Sequence, residues 1–260
     1  MSSGSPITYD ARLVEETVLL AERGLSTGER TRFRSERDRI YEAEDSDERE
    51  ARFDELHSRF FIQLGLDRPL HASLSAHPDI LRRVAGCHVR RAVAQRDEGA
   101  DLRDDLSPAT PPDRRAPVLV LRLRPQSLLV PDRLIRFLRR ELQHVADMLD
   151  PAFGYQRELA AEEADPAVVS LLRERYRVVW DTTVEGRLAR RQGPDPPALL
   201  ARRAEFLRAF PALGGDAEAV FEVWFNAPRP THPAILRFVR ASRPAALPAP
   251  IPSWHSCGVP

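Results

Sequence analysis

The sequence predicts a mainly helical α+β protein with a small β-sheet that flanks one of its helices. Most segments carry apolar residues three and four positions apart, which is typical of helices. One short apolar run with two valines, at 117–123, is typical of a buried strand. The chain has 260 residues, of which 42% are hydrophobic, so it can bury a substantial core.

The first region, 1–96, is predicted to be helical. Its apolar residues follow a helical pattern over 9–65, with an interruption at 24–28 that favours a helical hairpin. Asp45-Ser46-Asp47 precedes an amphipathic segment and is typical of a helix N-cap.

The middle of the chain is predicted to change from helix to loop to strand. Helical spacing continues over 80–94, whereas 97–116 is rich in Asp, Pro and Arg and is expected to be a loop between two regions. The predicted strand 117–123 follows this loop and begins the second region.

The second region, 117–242, is predicted to form the functional core. After the strand, five segments have helical periodicity, namely 131–150, 167–188, 199–210, 216–225 and 233–240. The tail 243–260 is rich in Pro and Ala, so we expect it to be extended or mobile.

Composition excludes several classes of function. Basic and acidic residues balance at 39 each, which argues against a nucleic-acid-binding or membrane-surface protein. The sequence lacks the phosphate-binding glycine motifs of nucleotide enzymes and the G-x-S-x-G turn of serine hydrolases. No apolar run approaches the roughly 20 residues of a membrane helix.

The cysteine content indicates a cytoplasmic protein. Only Cys87 and Cys257 are present, too few for a disulfide framework, and the N-terminus lacks the pattern of a secretion signal. A metal site built from Cys87-His88 and His255-Ser256-Cys257 is conceivable, but a buried Cys87 is the preferred interpretation. Four further histidines have no ligand-like spacing, and most of them are expected to be surface or capping residues, namely His57, His71, His77 and His232.

The segment Arg140-Glu141-Leu142-Gln143-His144 matches the zinc-protease motif H-E-x-x-H except at its first position. In the intact motif both imidazoles bind zinc and the glutamate handles the proton of the metal-bound water. A guanidinium has no lone pair to offer, so Arg140 cannot replace an imidazole. At about 100° per residue Arg140, His144 and Asp147 share one face of the helix. They are either remnants of a metal site or ordinary polar residues of a half-buried helix.

The stretch 139–155, R-R-E-L-Q-H-V-A-D-M-L-D-P-A-F-G-Y, resembles an uncharacterised bacterial family of zinc-metallopeptidase-like proteins with the form H-E-L-x-H-x-x-D-M-L-D-P-x-F-G-Y. The block 176–188 also resembles that family, as does 41–66 more loosely. This resemblance implies a zincin-like core, with a small sheet beside the motif helix, and a zinc ion.

The resemblance also implies roles for particular residues. Glu141 would be the catalytic base and His144 a zinc ligand, with a carboxylate ligand from a later helix. Glu185 is the preferred carboxylate, and Asp181, one turn earlier, and Asp147 are the further candidates. The alternative is that Asp181 and Glu185 form salt bridges with Arg177 or Arg187 on the helix surface. The sequence leaves both interpretations open.

Two functions remain open at this stage. One is a metal-dependent hydrolase of peptides or proteins, with zinc present, that is impaired by the loss of the first motif histidine. The other is a catalytically silent scaffold or protein-binding module in which zinc is absent. In this second case Arg140 would replace the charge of the metal by pairing with Asp181, Glu185 or Asp147.

Overall fold

The computed structural model describes residues 7–104, 116–157, 165–193 and 195–241. The chain divides into two compact units, Met1–Leu149 and Asp150–Pro260. Both are mainly helical, and the first also contains a small mixed sheet. The predicted α+β class is therefore confirmed. The two units divide within the predicted region 117–242, directly after the motif helix.

The sheet of the first unit has four strands among the described residues. They are β1 (Ile7–Tyr9), β2 (Gly86–Arg91), β3 (Gly99–Arg103) and β4 (Val118–Leu123). Their order is β1-β2-β4-β3, with β1, β2 and β4 parallel and β3 antiparallel to β4 at one edge. The predicted strand 117–123 is confirmed as β4.

Helices of the first unit begin at side-chain caps that the sequence provides. The Asp10 carboxylate accepts a hydrogen bond from the Leu13 N–H at 2.9 Å, and Asp45 accepts one from the Glu48 N–H at 2.7 Å. The N-cap predicted at Asp45-Ser46-Asp47 is thus confirmed. The described helices are α1 (Ala11–Ala21), α2 (Thr27–Ile40), α3 (Ser46–Gln63), α4 (Arg68–Ser75), α5 (Pro78–Arg83), α6 (Pro125–Leu128) and α7 (Pro131–Leu149).

The motif helix α7 is fixed by its apolar face. Leu134, Leu138, Leu142 and Val145 recur at three and four positions and are each at most 1% exposed. This face belongs to the core of the first unit, and α7 contacts α4, α5, α6 and β3. Burial of each such side chain stabilises the fold by about 1.5–3 kcal/mol. This packing fixes the orientation of α7 about its own axis, and it therefore also determines which way the polar motif residues point.

The second unit is organised around one long helix. Its described helices are α8 (Pro166–Gln192), α9 (Pro196–Ala209), α10 (Ala217–Phe225) and α11 (His232–Arg240), and α8 contacts the other three. A Cβ added at Gly186 would lie 1.7 Å from the Phe225 carbonyl oxygen, so only glycine permits this approach. One turn later, the Arg190 guanidinium donates to that oxygen at 2.9 Å and to the Ala227 carbonyl at 3.1 Å.

Two sequence predictions of local structure were wrong. Residues 80–94 were expected to be one helix, but they contain only the end of α5 and then strand β2. A short apolar run does not by itself distinguish helix from strand. The stretch 97–116 was expected to be a loop, but it contains β3. Residues 105–115 and the tail 243–260 lie outside the described residues.

Candidate functional site

Glu141 of the motif contacts the edge strand of the sheet. Its Oε2 accepts a hydrogen bond from the backbone N–H of Ala100 in β3 at 3.0 Å, and a Cβ added at Gly99 would lie 3.6 Å from the same oxygen. In an antiparallel pair every second residue turns its N–H away from the neighbouring strand. Glu141 therefore satisfies an outward-facing donor of β3 and joins α7 to the sheet.

The following turns of the motif face are buried. His144 is 8% exposed and Asp147 is 5% exposed, and the Gln143 side-chain amide donates to Asp147 Oδ1 at 3.3 Å. An imidazole and a carboxylate thus lie on adjacent turns of one helix, and both are side chains of the kind that binds zinc. The shared face predicted for His144 and Asp147 is present.

Asp181 belongs to the second unit and takes part in a partly buried ion-pair network on α8 and α9. Its Oδ2 accepts hydrogen bonds from Arg177 at 3.1 Å and from Arg202 at 2.9 Å. Both guanidiniums also bond to Glu205. Burial by itself would lower the pKa of Arg177, but Asp181 and Glu205 outweigh it, so this pKa is raised. The Arg177 partner was predicted from the sequence, whereas Arg202, which is 8% exposed, was not.

The five predicted site residues are divided between two helices. Glu141, His144 and Asp147 lie on α7 of the first unit, and Asp181 and the half-buried Glu185 lie on α8 of the second. Within the ranges that the structure describes, no group of three or more His, Cys, Asp or Glu side chains is placed to hold a metal ion. The convergence of all five residues on one zinc ion stays a prediction.

Arg140 lines a cleft of about 410 Å³ on the first unit. We call it the arginine cleft, because Arg133, Arg136 and Arg140 line it together with Glu98. Arg140 forms no hydrogen bond or ion pair with any described residue of its unit. Asp147, one of the three partners considered for Arg140, is therefore not its partner. Pairing of Arg140 with Asp181 or Glu185 stays a prediction.

His57 is buried, contrary to the predicted surface or capping position. It is 3% exposed, and its ring centroid lies 6.1 Å from those of Phe33 and Phe53. Burial lowers the pKa of the imidazole; Glu15 and Asp54 oppose this shift. The sequence did contain a signal, because His57 lies four residues after Phe53, on the apolar stripe of α3.

His232 is also buried, at 1% exposed, so the surface or capping interpretation is wrong for it too. Its Nδ1 lies 2.7 Å from the Tyr176 hydroxyl oxygen, and burial lowers its pKa. His71, by contrast, has a side chain that is 50% exposed, and His77 lies at the N-cap of α5, as predicted.

Cys87 is fully buried in β2, and burial raises the pKa of its thiol to about 12. A thiolate, the form that binds metals, is therefore strongly disfavoured there. Consecutive residues of a strand point to opposite faces, so Cys87 and His88 are poorly placed to share one ion. His255 and Cys257, the other members of this alternative site, lie outside the described residues.

In comparisons with known proteins, no family model, no curated protein and no solved structure matches the chain. Among the helices of the described ranges, none is long and apolar enough to cross a membrane.

Proposed function

We propose that this protein is a degenerate zinc-metallopeptidase-like protein, with a zincin-like core that serves as a scaffold or binding module and no longer hydrolyses peptides. The observation that carries the proposal is the hydrogen bond between Glu141 and Ala100. A general base must lie within about 2.6–3.2 Å of the group whose proton it takes. Oε2 of Glu141 already accepts a hydrogen bond from a backbone amide at that distance, so this oxygen stabilises the edge of the sheet.

Arg140 supports the same proposal. Its guanidinium has no lone pair for a metal and stays positively charged, so it would repel a cation held by the neighbouring turn. It replaces the first of the two imidazoles on which the motif depends. Loss of that ligand weakens a zinc site more than the loss of any residue that only orients the others.

The environment of Asp181 points in the same direction. This carboxylate accepts hydrogen bonds from two guanidiniums, and one of them, Arg202, is itself buried. Moving Asp181 to a metal would break the ion pairs with both guanidiniums and leave the buried Arg202 with Glu205 as its remaining carboxylate partner, which lowers stability. Asp181 is therefore better suited to stabilising the second unit than to binding zinc.

The position of α7 supports the zincin-like core. Strand β4 leads through the short α6 directly into the motif helix, and α7 contacts the antiparallel edge strand β3. A small sheet beside the motif helix is what the sequence resemblance implies.

A metal-dependent hydrolase is the second candidate, favoured by the burial of His144 and Asp147 on adjacent turns. Zinc would then be held by His144 and Glu185, with Asp181 or Asp147 assisting, and would polarise water and the carbonyl of a peptide or protein substrate. Glu141 would accept the proton of that water.

Hydrolysis assays separate the two candidates. Unstructured protein and mixed peptides are incubated with the full chain and added zinc, with the Glu141→Gln variant as the control. We expect both proteins to give the same background rate. Cleavage that requires zinc and falls by about 100-fold or more in Glu141→Gln would support the hydrolase instead.

A further inference from the structure

The arginine cleft has a charge pattern that the proposed function does not explain. Arg133, Arg136 and Arg140 occupy positions i, i+3 and i+7 of α7, within a sector of roughly 60° at about 100° per residue. All three line the same cleft. One face of the helix therefore presents three guanidiniums to one concave surface.

None of these three guanidiniums forms a hydrogen bond or an ion pair with a described residue of the first unit. The carboxylate in the cleft, Glu98, is already engaged by Arg124, whose N–H donates to Oε1 at 2.9 Å and whose Nε lies 3.2 Å from Oε2. The Glu98 side chain is only 8% exposed. The described residues that line the cleft therefore carry an excess of positive charge.

Elsewhere the first unit pairs its helix arginines locally. Arg32 and Arg52 each have a glutamate one turn away, at 2.9 Å and 2.5 Å. In the cleft, neighbouring arginines one turn apart instead repel one another. Arg133 also lies in the first turn of α7, where the helix dipole favours anions over cations. An anion bound in the cleft would offset both costs.

The size and lining of the cleft indicate the kind of anion. Its volume of about 410 Å³ suits a small molecule. Guanidinium groups match the geometry of phosphate and carboxylate oxygens, and Ser127 and Gln95 add neutral donors at the rim. The three arginines extend over about 10 Å of the helix axis, which is longer than one phosphate group.

We propose that the arginine cleft binds a small molecule carrying two or more linked phosphate groups, with Arg133, Arg136 and Arg140 as its oxyanion partners. The partly buried Phe137 provides an apolar wall for the remainder of such a molecule. This site assigns a ligand class to the binding role proposed above. It rests on that binding role but requires neither zinc nor hydrolysis, so a failure of ligand binding is distinguishable from a failure of the zinc-loss proposal, which the hydrolysis and zinc assays test.

The test is calorimetric titration of the full chain with pyrophosphate, with inorganic phosphate and a short single-stranded RNA as comparison probes. We expect pyrophosphate to bind more tightly than phosphate. Arg136→Gln and Arg140→Gln should each weaken it by about tenfold or more, the usual contribution of one charged hydrogen bond. Arg39→Gln is the matched control, since Arg39 is exposed on α2 outside the cleft, and it should leave binding unchanged.

A second measurement uses the unmodified protein, in case a variant folds poorly. Phenylglyoxal labels accessible arginines, and mass spectrometry should show that pyrophosphate protects Arg136 and Arg140 but not Arg39. The proposal is overturned if pyrophosphate fails to bind at millimolar concentration, or if Arg39→Gln weakens binding as much as the cleft variants do. Tighter binding of the RNA, lost in the same cleft variants, would also overturn it in favour of a nucleic-acid surface.

Discussion

The Glu141 carboxylate accepts a hydrogen bond from the backbone N–H of Ala100 at 3.0 Å, so the glutamate of the protease motif is attached to the edge of the sheet. The edge strand of a sheet exposes donors and acceptors that must be satisfied by water or by a neighbouring element. Glu141 provides such a partner from α7. The motif glutamate thus has a structural role that does not depend on a metal.

Replacing Glu141 tests this structural role. Glu141→Ala should lower the free energy of unfolding by about 1 kcal/mol and speed hydrogen exchange at the Ala100 amide, because a half-buried donor loses its acceptor. Glu141→Gln keeps a side-chain oxygen and should cost less. Arg136→Ala, on the exposed side of α7, is the control and should change stability by no more than about 0.5 kcal/mol. Unchanged exchange at Ala100 in Glu141→Ala would count against the role.

Asp181 should behave as a stabilising residue of the second unit. Asp181→Asn removes one of the two carboxylates that pair with the buried Arg202, the other being Glu205, so we expect a loss of about 2 kcal/mol in urea unfolding. Glu48→Gln breaks the exposed pair with Arg52 and should cost less than about 1 kcal/mol. Equal effects of the two substitutions would show that the Asp181 network contributes little.

Gly186 should not tolerate a side chain. A Cβ at this position would meet the Phe225 carbonyl oxygen at 1.7 Å, and backbone atoms must move to relieve the overlap. Gly186→Ala should therefore destabilise the protein by roughly 3 kcal/mol. Gly28→Ala, in α2 with nothing within 4 Å of the new Cβ, should instead stabilise it by about 0.5–1 kcal/mol. The close packing of α8 on α10 is contradicted if both variants gain stability.

Sequence patterns predicted the elements that depend on local information. The apolar spacing of Leu134, Leu138 and Leu142 and the proline at Pro131 were sufficient to place α7. Strand β3 was missed because Gly99, Ala100 and Asp101 favour strands poorly; the strand is held by β4 and by Glu141 instead. Such support comes from residues distant in sequence, which a local pattern does not contain.

In the candidate site, too, contacts within one helix were predicted and contacts between helices were not. Arg177, four residues before Asp181, was predicted as its partner because residues one helical turn apart are neighbours. Arg202 is on another helix, so only the packing of α8 against α9 brings it to Asp181. The cleft beside Arg140 was likewise not predicted, since Glu98 and Ser127 come from separate segments of the first unit.

His57 should make stability depend on pH. Burial lowers its pKa in the folded state, so between this value and the unfolded value of about 6.5 the unfolded chain binds more protons. Stability is then fully present above about pH 6.5 and falls as the pH decreases towards the folded pKa. His57→Phe should reduce the difference in urea unfolding between pH 7.5 and pH 5.5. The pH dependence that is due to His232 will remain, because burial lowers the pKa of that histidine too.

The matched control for His57 is His71→Phe, because the His71 side chain is 50% exposed. This variant should keep the pH dependence of the unmodified protein. If His57→Phe and His71→Phe retain the same pH dependence, burial of His57 does not contribute to it.

The central proposal is that Arg140 has removed the zinc site of a zincin-like core. The most direct test is elemental analysis of the full chain after exposure to zinc and dialysis, alongside Arg140→His, which restores the motif. We predict far less than one zinc per chain in the unmodified protein, and an increase in Arg140→His if His144 and a carboxylate converge. One tightly held zinc per unmodified chain would contradict the claim.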